Sequence, residues 1–155
     1  MLECVILIGL PASGKSTFYR QRFAATHDHV SKDLLRGVRQ PERRQQQLLS
    51  ASLSAGRSVV VDNTNPTIAS RAALIAIARQ HGARVKGYYF ETDAADAVRR
   101  NRLREGRARV PDVAIFAIRK RLQPPSVAEG FDELWNVRLD EARRTFVPRP
   151  SSSIS

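Results

Sequence analysis

Residues 4–16 read CVILIGLPASGKS, and the fold follows from that stretch. CVILIGL (4–10) is a continuous apolar run. It falls far short of the roughly 20 apolar residues that span a membrane, and it lacks the polar alternation of a half-buried strand. Such a run suits a strand covered on both faces of a parallel sheet. Directly after it, Gly9-Leu-Pro-Ala-Ser-Gly14-Lys15-Ser16 fits G-x-x-x-x-G-K-[ST] without a mismatch. A helix is expected from Lys15 to about Ala24. The strand–loop–helix context is what makes this pattern a phosphate cradle rather than a glycine-rich turn. Gly9, Ala12, Ser13, Gly14, Lys15, Ser16 and Thr17 are the expected nucleotide-binding residues. Backbone N–H groups and the helix N-terminus face the phosphates. Lys15 neutralises the outer phosphates, and the Ser16 hydroxyl is the expected Mg²⁺ ligand.

Outward from this loop the chain alternates strands and helices. A short strand is expected near His29–Ser31, followed by a helix that contains Asp33 and Arg36. Pro41 opens a helix that Gly56 ends near Ala55. RSVVVD (57–62) is a second buried strand, TIASRAALIAIARQHG (67–82) an amphipathic helix, and ARVKGYYFE (83–91) a further strand. Asp93 is placed to cap the next helix, and Pro111 starts another that runs to about Leu122. Helices at these intervals between strands imply right-handed βαβ units. The expected fold is α/β, a P-loop NTPase/kinase fold with a doubly wound parallel sheet flanked by helices and an arginine-rich lid at about 99–110. One domain is expected over 1–147, with a flexible tail at 148–155.

Composition narrows the partner. Of 155 residues, 26 are Lys or Arg and 15 are Asp or Glu, a formal net charge of +11. A field of that sign favours a polyanion, nucleic acid first. The single cysteine, Cys4, excludes an internal disulfide framework and lies in the apolar run as inert core. His27, His29 and His81 have no metal-ligand spacing. With no signal peptide or membrane span in view, the expected setting is cytoplasmic, without a membrane partner.

The reaction is decided by the acidic residues around the cradle. Asp62 ends a buried strand at the sheet edge that faces the loop. A motor ATPase usually has a glutamate next, to activate water; here it is Asn63, and no NKxD guanine motif occurs. A kinase needs instead a carboxylate for the acceptor hydroxyl. Asp33, just past the second strand, is the candidate base, and Arg36 three residues on is the candidate anion holder. The alternative is that Asp33 caps a helix while Arg36 is solvated. Residues 99–109, RRNRLREGRAR, hold six arginines. Arg100 and Arg104 are expected one turn apart on one helical face, aimed at the transferring phosphoryl group, with Gly106 as hinge or helix end. Arg99, Arg102, Arg107 and Arg109 fall off that face and are expected to be solvated or to have a general electrostatic role. Tyr88, Tyr89 and Phe90 are expected in the core rather than stacked on a base, and Trp135 is expected to pack the C-terminal segment. Pro124-Pro125 is expected to fix a turn, with the border of an adenine pocket as the alternative.

Four ordered pieces resemble the P-loop 5′-polynucleotide kinases, the kinase module of phage-type and animal end-healing enzymes. They are GLPASGKSTF, HVSKDLLR, VVVDNTNP with SRAALIAIAR, and RRNRLREG followed by VP and RKRLQPPSVAEGFDEL. They cover about residues 4–135, and DNTNP and the AEGF stretch look closest to the animal-type modules. The resemblance implies ATP and Mg²⁺ as cofactors and a nucleic-acid 5′ end, DNA or RNA, as acceptor. Under it Lys15 and Ser16 hold the ATP phosphates and Mg²⁺, and Asp33 is the general base for the 5′-hydroxyl. Arg36 contacts the terminal nucleotide's phosphate, Asp62 sits near the acceptor hydroxyl or the metal's water shell, and Arg100 and Arg104 match the lid. No D-x-D phosphatase signature is present, so a separate ligase or phosphatase is the candidate partner. Two other readings stay open: a P-loop kinase for a small hydroxyl compound (nucleoside, sugar or antibiotic), and a non-catalytic module that binds ATP and nucleic acid.

Overall fold

The computed structural model describes residues 1–106, 109–140 and 145–151. Its centre is a six-stranded sheet in the order β2-β3-β1-β4-β5-β6. The elements are β1 (Glu3–Gly9), α1 (Lys15–Arg22), β2 (Asp28–Val30), α2 (Pro41–Ser54), β3 (Val59–Asp62), α3 (Ile68–Gln80), β4 (Arg84–Phe90), α4 (Ala94–Arg102), α5 (Asp112–Arg121), β5 (Glu133–Asp140) and β6 (Thr145–Pro150). The first five strands are parallel; β6 returns antiparallel beside β5.

The apolar run at 4–10 is explained by the position of β1 in the middle of the sheet, between β3 and β4. Its side chains alternate between two cores. Cys4, Ile6 and Ile8 pack with Leu49 and Leu53 of α2 and Leu74 and Ala78 of α3. Val5 and Leu7 pack on the other face with Phe18 of α1 and with Phe90, Val137 and Phe146. Both faces are dry beyond Glu3, so from Cys4 the strand carries no polar side chain until it leaves the sheet. Cys4 is fully buried, and that burial pushes its thiol up to about 12. Tyr88 and Phe90 pack around Phe18, with ring centroids at 5.1 and 5.2 Å. Trp135 stacks on Tyr88 across the β4–β5 pair.

Three local features differ from expectation. The segment after β2 is a 3₁₀ turn, Lys32–Leu35, and not a helix through Arg36, whose backbone is extended (φ −60°, ψ 134°). Helix α4 ends at Arg102 with Leu103 as its C-cap, so Arg104 lies beyond the helix rather than one turn up the same face. The sheet also gains two strands after residue 123 where none was expected. β6 pairs through Pro150, three residues into the stretch expected as a tail. It is an edge strand, the one place where Pro148 and Pro150 can sit in a sheet without breaking a ladder on both sides. Residues 152–155 of that stretch, and Arg107 of the arginine run, lie outside the described residues.

Candidate active site

The site lies where β1, β2 and β3 end, at the carboxyl edge of the parallel sheet, the position at which open α/β sheets bind ligands. Gly14 turns the chain into α1 in the left-handed region (φ 97°). A Cβ there would also come within 2.7 Å of the Phe146 ring, so glycine is required twice over. Lys15 follows, buried, with its Nζ donating to the carbonyls of Gly9 at 3.1 Å and Leu10 at 2.5 Å and to Ser13 Oγ at 3.3 Å. Burial pushes its ammonium down to about 8; the charges of Asp62 and Asp33 act upward and that of Arg104 downward. Residues picked from three other stretches of sequence therefore act on Lys15 through their charge.

Asp62 is the hub of the buried wall. Ser16 Oγ donates to its Oδ2 at 2.7 Å, and His29 Nε2 lies 2.8 Å from the same oxygen. Burial acts to raise the Asp62 pKa, but those two hydrogen bonds and the Lys15 charge prevail and hold the carboxyl below its usual range. His29 is itself fixed by a parallel stack on Tyr19, with centroids 4.0 Å apart. Tyr19 in turn donates to the His27 carbonyl at 2.8 Å. Metal spacing was the wrong test for this histidine; its place one residue from the end of β2, beside β3, was the available signal.

The opposite wall is the 3₁₀ turn. Ser31 caps it by accepting from the Asp33 N–H at 3.2 Å, so the Asp33 carboxylate is not the cap. That carboxylate is 80% exposed and lies 3.6 Å from Arg36. Extended backbone at Arg36 thus reaches the same pairing that a helical i,i+3 spacing would have given. Between the walls is a cleft of about 200 Å³, lined by Lys15, Ser16 and Asp62 on one side and Asp33 and Arg36 on the other. A second cavity of about 510 Å³ opens on the far side of the loop, lined by Ala12, Gly14, Thr17 and Gln21, with Arg100, Leu139 and Phe146 facing them. Arg104 lines both spaces and so bridges them.

Asn101, Leu139, Phe146 and Arg71 went unread in the sequence. Asn101 is fully buried; its side chain donates to the Val110 carbonyl at 2.5 Å and accepts from the Val110 N–H at 2.9 Å, which ties the end of α4 to the far end of the arginine loop. Leu139 and Phe146 belong to the two unforeseen strands. Pro124-Pro125 lines neither cavity; the adjoining Gln123 instead bonds Pro66 and Ile68 at the start of α3. Arg71 of α3, fully buried, pairs with Glu129 through two hydrogen bonds of 2.8 and 3.1 Å and also donates to the carbonyls of Asn65 and Gln123. It thereby locks the DNTNP loop to the AEGF stretch. Asn63 accepts from the Lys32 N–H at 2.7 Å and donates to Gln45, a joint between the two walls and not a group aimed at water.

A family model described as "AAA domain" matches residues 4–125. The chain belongs to this AAA-domain family. Among similar proteins, a bifunctional polynucleotide phosphatase/kinase of Schizosaccharomyces pombe is 30% identical over 142 residues, covering 87% of this chain. The chain spans about a third of that relative's length (33%). The relative is of the kind that the four motifs resemble. Among solved structures, a gluconokinase from Sinorhizobium meliloti superposes with a TM-score of 0.68 at 16% identity, covering 92% of this chain and 86% of that one. A fungal RNA kinase gives 0.65 at 14% identity, covering 88% and 38%. Both share the P-loop kinase fold with this AAA-domain chain. Among its described residues, no helix is long and apolar enough to cross a membrane.

Proposed function

We propose that the chain is an ATP-dependent 5′-hydroxyl polynucleotide kinase. The observation that carries this reading is the small cleft itself. It sets a phosphate-binding lysine against an exposed carboxylate–arginine pair across about 200 Å³, room for one hydroxyl and the phosphoryl group it receives. The S. pombe relative, whose name includes polynucleotide kinase, supports the same acceptor class.

In this mechanism the triphosphate lies over Gly9–Thr17 and the nucleoside occupies the larger cavity against Leu139 and Phe146. The acceptor 5′-hydroxyl enters from the 3₁₀ wall. Asp33 takes its proton as the 5′ oxygen attacks the γ-phosphorus; the bond from that phosphorus to the β–γ bridging oxygen breaks in line, and ADP leaves. Arg36, beside Asp33, holds the anionic phosphate of the terminal nucleotide. Lys15, Arg104 and Arg100 neutralise charge that grows on the transferring group. Ser16 and Asp62 suit Mg²⁺, which favours one or two protein oxygens and completes its shell with phosphates and water. Their oxygens already meet at 2.7 Å. When bound, the ion would supply charge neutralisation at the phosphates. Arg100 and Arg104 stand at opposite ends of the α4 terminus that Asn101 pins, where loop closure can bring both onto the nucleotide.

The test is salt dependence. Each protein–phosphate contact releases counterions, so phosphorylation of an oligonucleotide at subsaturating concentration is expected to fall steeply between 50 and 200 mM salt. An acceptor with no phosphate responds little. A flat salt response with oligonucleotide would argue for the small-hydroxyl kinase reading.

A further inference from the structure

The segment from the acceptor wall into α2 carries Lys32, Arg36, Arg39, Arg43 and Arg44 against two acids, Asp33 and Glu42. Both acids are already paired. Asp33 lies 3.6 Å from Arg36, and Glu42 lies 3.0 Å from Lys32. That leaves Arg39, Arg43 and Arg44 with no acidic partner among the described residues, and all three are exposed. They are grouped rather than scattered. With Gln40 and Gln47 they line a shallow groove of about 240 Å³. Arg39 precedes the helix and Arg43 lies in its first turn, so the groove they line begins three residues beyond Arg36. Planar cations flanked by neutral amides suit successive phosphodiesters and the sugar or base edges between them. A protein surface would have to bring carboxylates at the same spacing. Nearby, Leu34 (67% exposed) and Val38 (41% exposed) offer apolar surface to an unstacked base.

We infer that the first turn of α2 is a track for the acceptor strand: Arg39 and Arg43 hold the phosphodiesters downstream of the terminal nucleotide, and the preferred acceptor is a single strand of several nucleotides. This rests on the kinase reading above and adds to it the length and strandedness of the substrate. It also separates two functions of arginine in one cleft, since Arg36 fixes the end and Arg39 and Arg43 fix the direction from which the strand comes.

The experiment compares the full chain with R39A/R43A and R39E/R43E, using a 20-nucleotide 5′-OH single strand, as DNA and as RNA, and a 3′-mononucleotide. The readout is the ratio of kcat/KM for the 20-mer to that for the mononucleotide. We expect R39A/R43A to lower this ratio on the order of tenfold and R39E/R43E to lower it further. Loss of two phosphate contacts is expected to reduce the log–log salt slope of 20-mer affinity by about 1.4. Reversing the exposed Arg119 and Lys120 on α5 changes net charge equally and should leave the ratio unaltered. If the α5 variant lowers the ratio as much as the α2 variant, the surface acts only through bulk field and the track is overturned. A wild-type ratio near one overturns it as well. Anisotropy of a labelled 20-mer without ATP reads binding apart from transfer. Wild-type transfer with 20-mer affinity and slope unchanged in R39E/R43E refutes the track alone, whereas absence of wild-type transfer to any nucleic acid refutes the kinase reading. No 20-mer binding at low salt would leave the groove to an acidic protein and overturn the track.

Discussion

The two walls of the small cleft differ in how far the chain satisfies its own polar groups. On the P-loop wall every functional side chain is already engaged: Lys15 by three oxygens, Ser16 and His29 by Asp62, and His29 by the Tyr19 ring. On the acceptor wall, Asp33 is 80% exposed and meets Arg36 at 3.6 Å, long for a direct hydrogen bond. The first wall is preorganised, as electrostatic stabilisation of a transferring phosphoryl group requires. The second is open, and under the proposed kinase reading the acceptor would complete it. One consequence is that damage to the first wall should affect nucleotide binding, and damage to the second should affect transfer or acceptor use alone.

The largest expected effect tests that division. Asp33→Asn keeps shape but removes the proposed base, and should lower kcat for 5′-OH transfer by about 10²–10⁴. ATP affinity, measured by calorimetry, should stay within about twofold, because Asp33 reaches Lys15 only through its charge. A matching loss of ATP binding would erase the distinction between the walls. Next is Arg71→Ala, which leaves Glu129 buried and uncompensated and frees the Asn65 and Gln123 carbonyls. Breaking a buried pair costs about 3–5 kcal/mol, to be read as a lowered denaturation midpoint. A change under about 1 kcal/mol would mean that the DNTNP loop is held by other contacts.

A smaller and more specific effect comes from Lys15. Its pKa is about 8 in the folded chain against the ordinary 10.5. The unfolded chain therefore binds the proton more tightly between those values, and stability without nucleotide rises from about pH 8 to about 10.5 on account of this residue. A bound triphosphate favours the charged ammonium. Below pH 8 the ammonium is already charged and ATP affinity should not vary through it. Above pH 8 binding takes up one proton and affinity should weaken, approaching about tenfold per pH unit. Calorimetry in buffers of different ionisation heat would count the proton; zero uptake at pH 9 contradicts the buried-lysine account. The smallest effect is expected at Arg36→Ala, which should raise KM for an oligonucleotide on the order of tenfold and leave KM for ATP unchanged. Equal changes in both would move Arg36 from the acceptor to the nucleotide.

The walls were also unequally legible in the sequence. The P-loop was readable because its chemistry is local: a buried strand, two glycines at fixed spacing and a helix start are all consecutive. Asp33 and Arg36 were readable as a pair even though the helix drawn around them proved to be a 3₁₀ turn, since three residues separate them in either geometry. The larger cavity was not readable. Phe146 reaches Gly14 only because β5 and β6 add to the far side of β4, and the prolines at 148 and 150 argue against a strand in any local window. Asn101 and Arg71 were hidden for a related reason. Asn101 sits among the charged residues of α4 and Arg71 shares α3 with the exposed Arg79 and Gln80, so only burial separates an amide clamp or a locked guanidinium from a solvated neighbour.

The measurement that bears most directly on the central claim is transfer of label from γ-labelled ATP to matched 5′-OH DNA and RNA oligomers, beside a nucleoside, a 3′-nucleotide and gluconate at equal concentration. The account predicts label at the 5′ end of the oligomers, lost in Asp33→Asn while ATP binding persists. Label on gluconate or the nucleoside, with none on any oligomer, would contradict it.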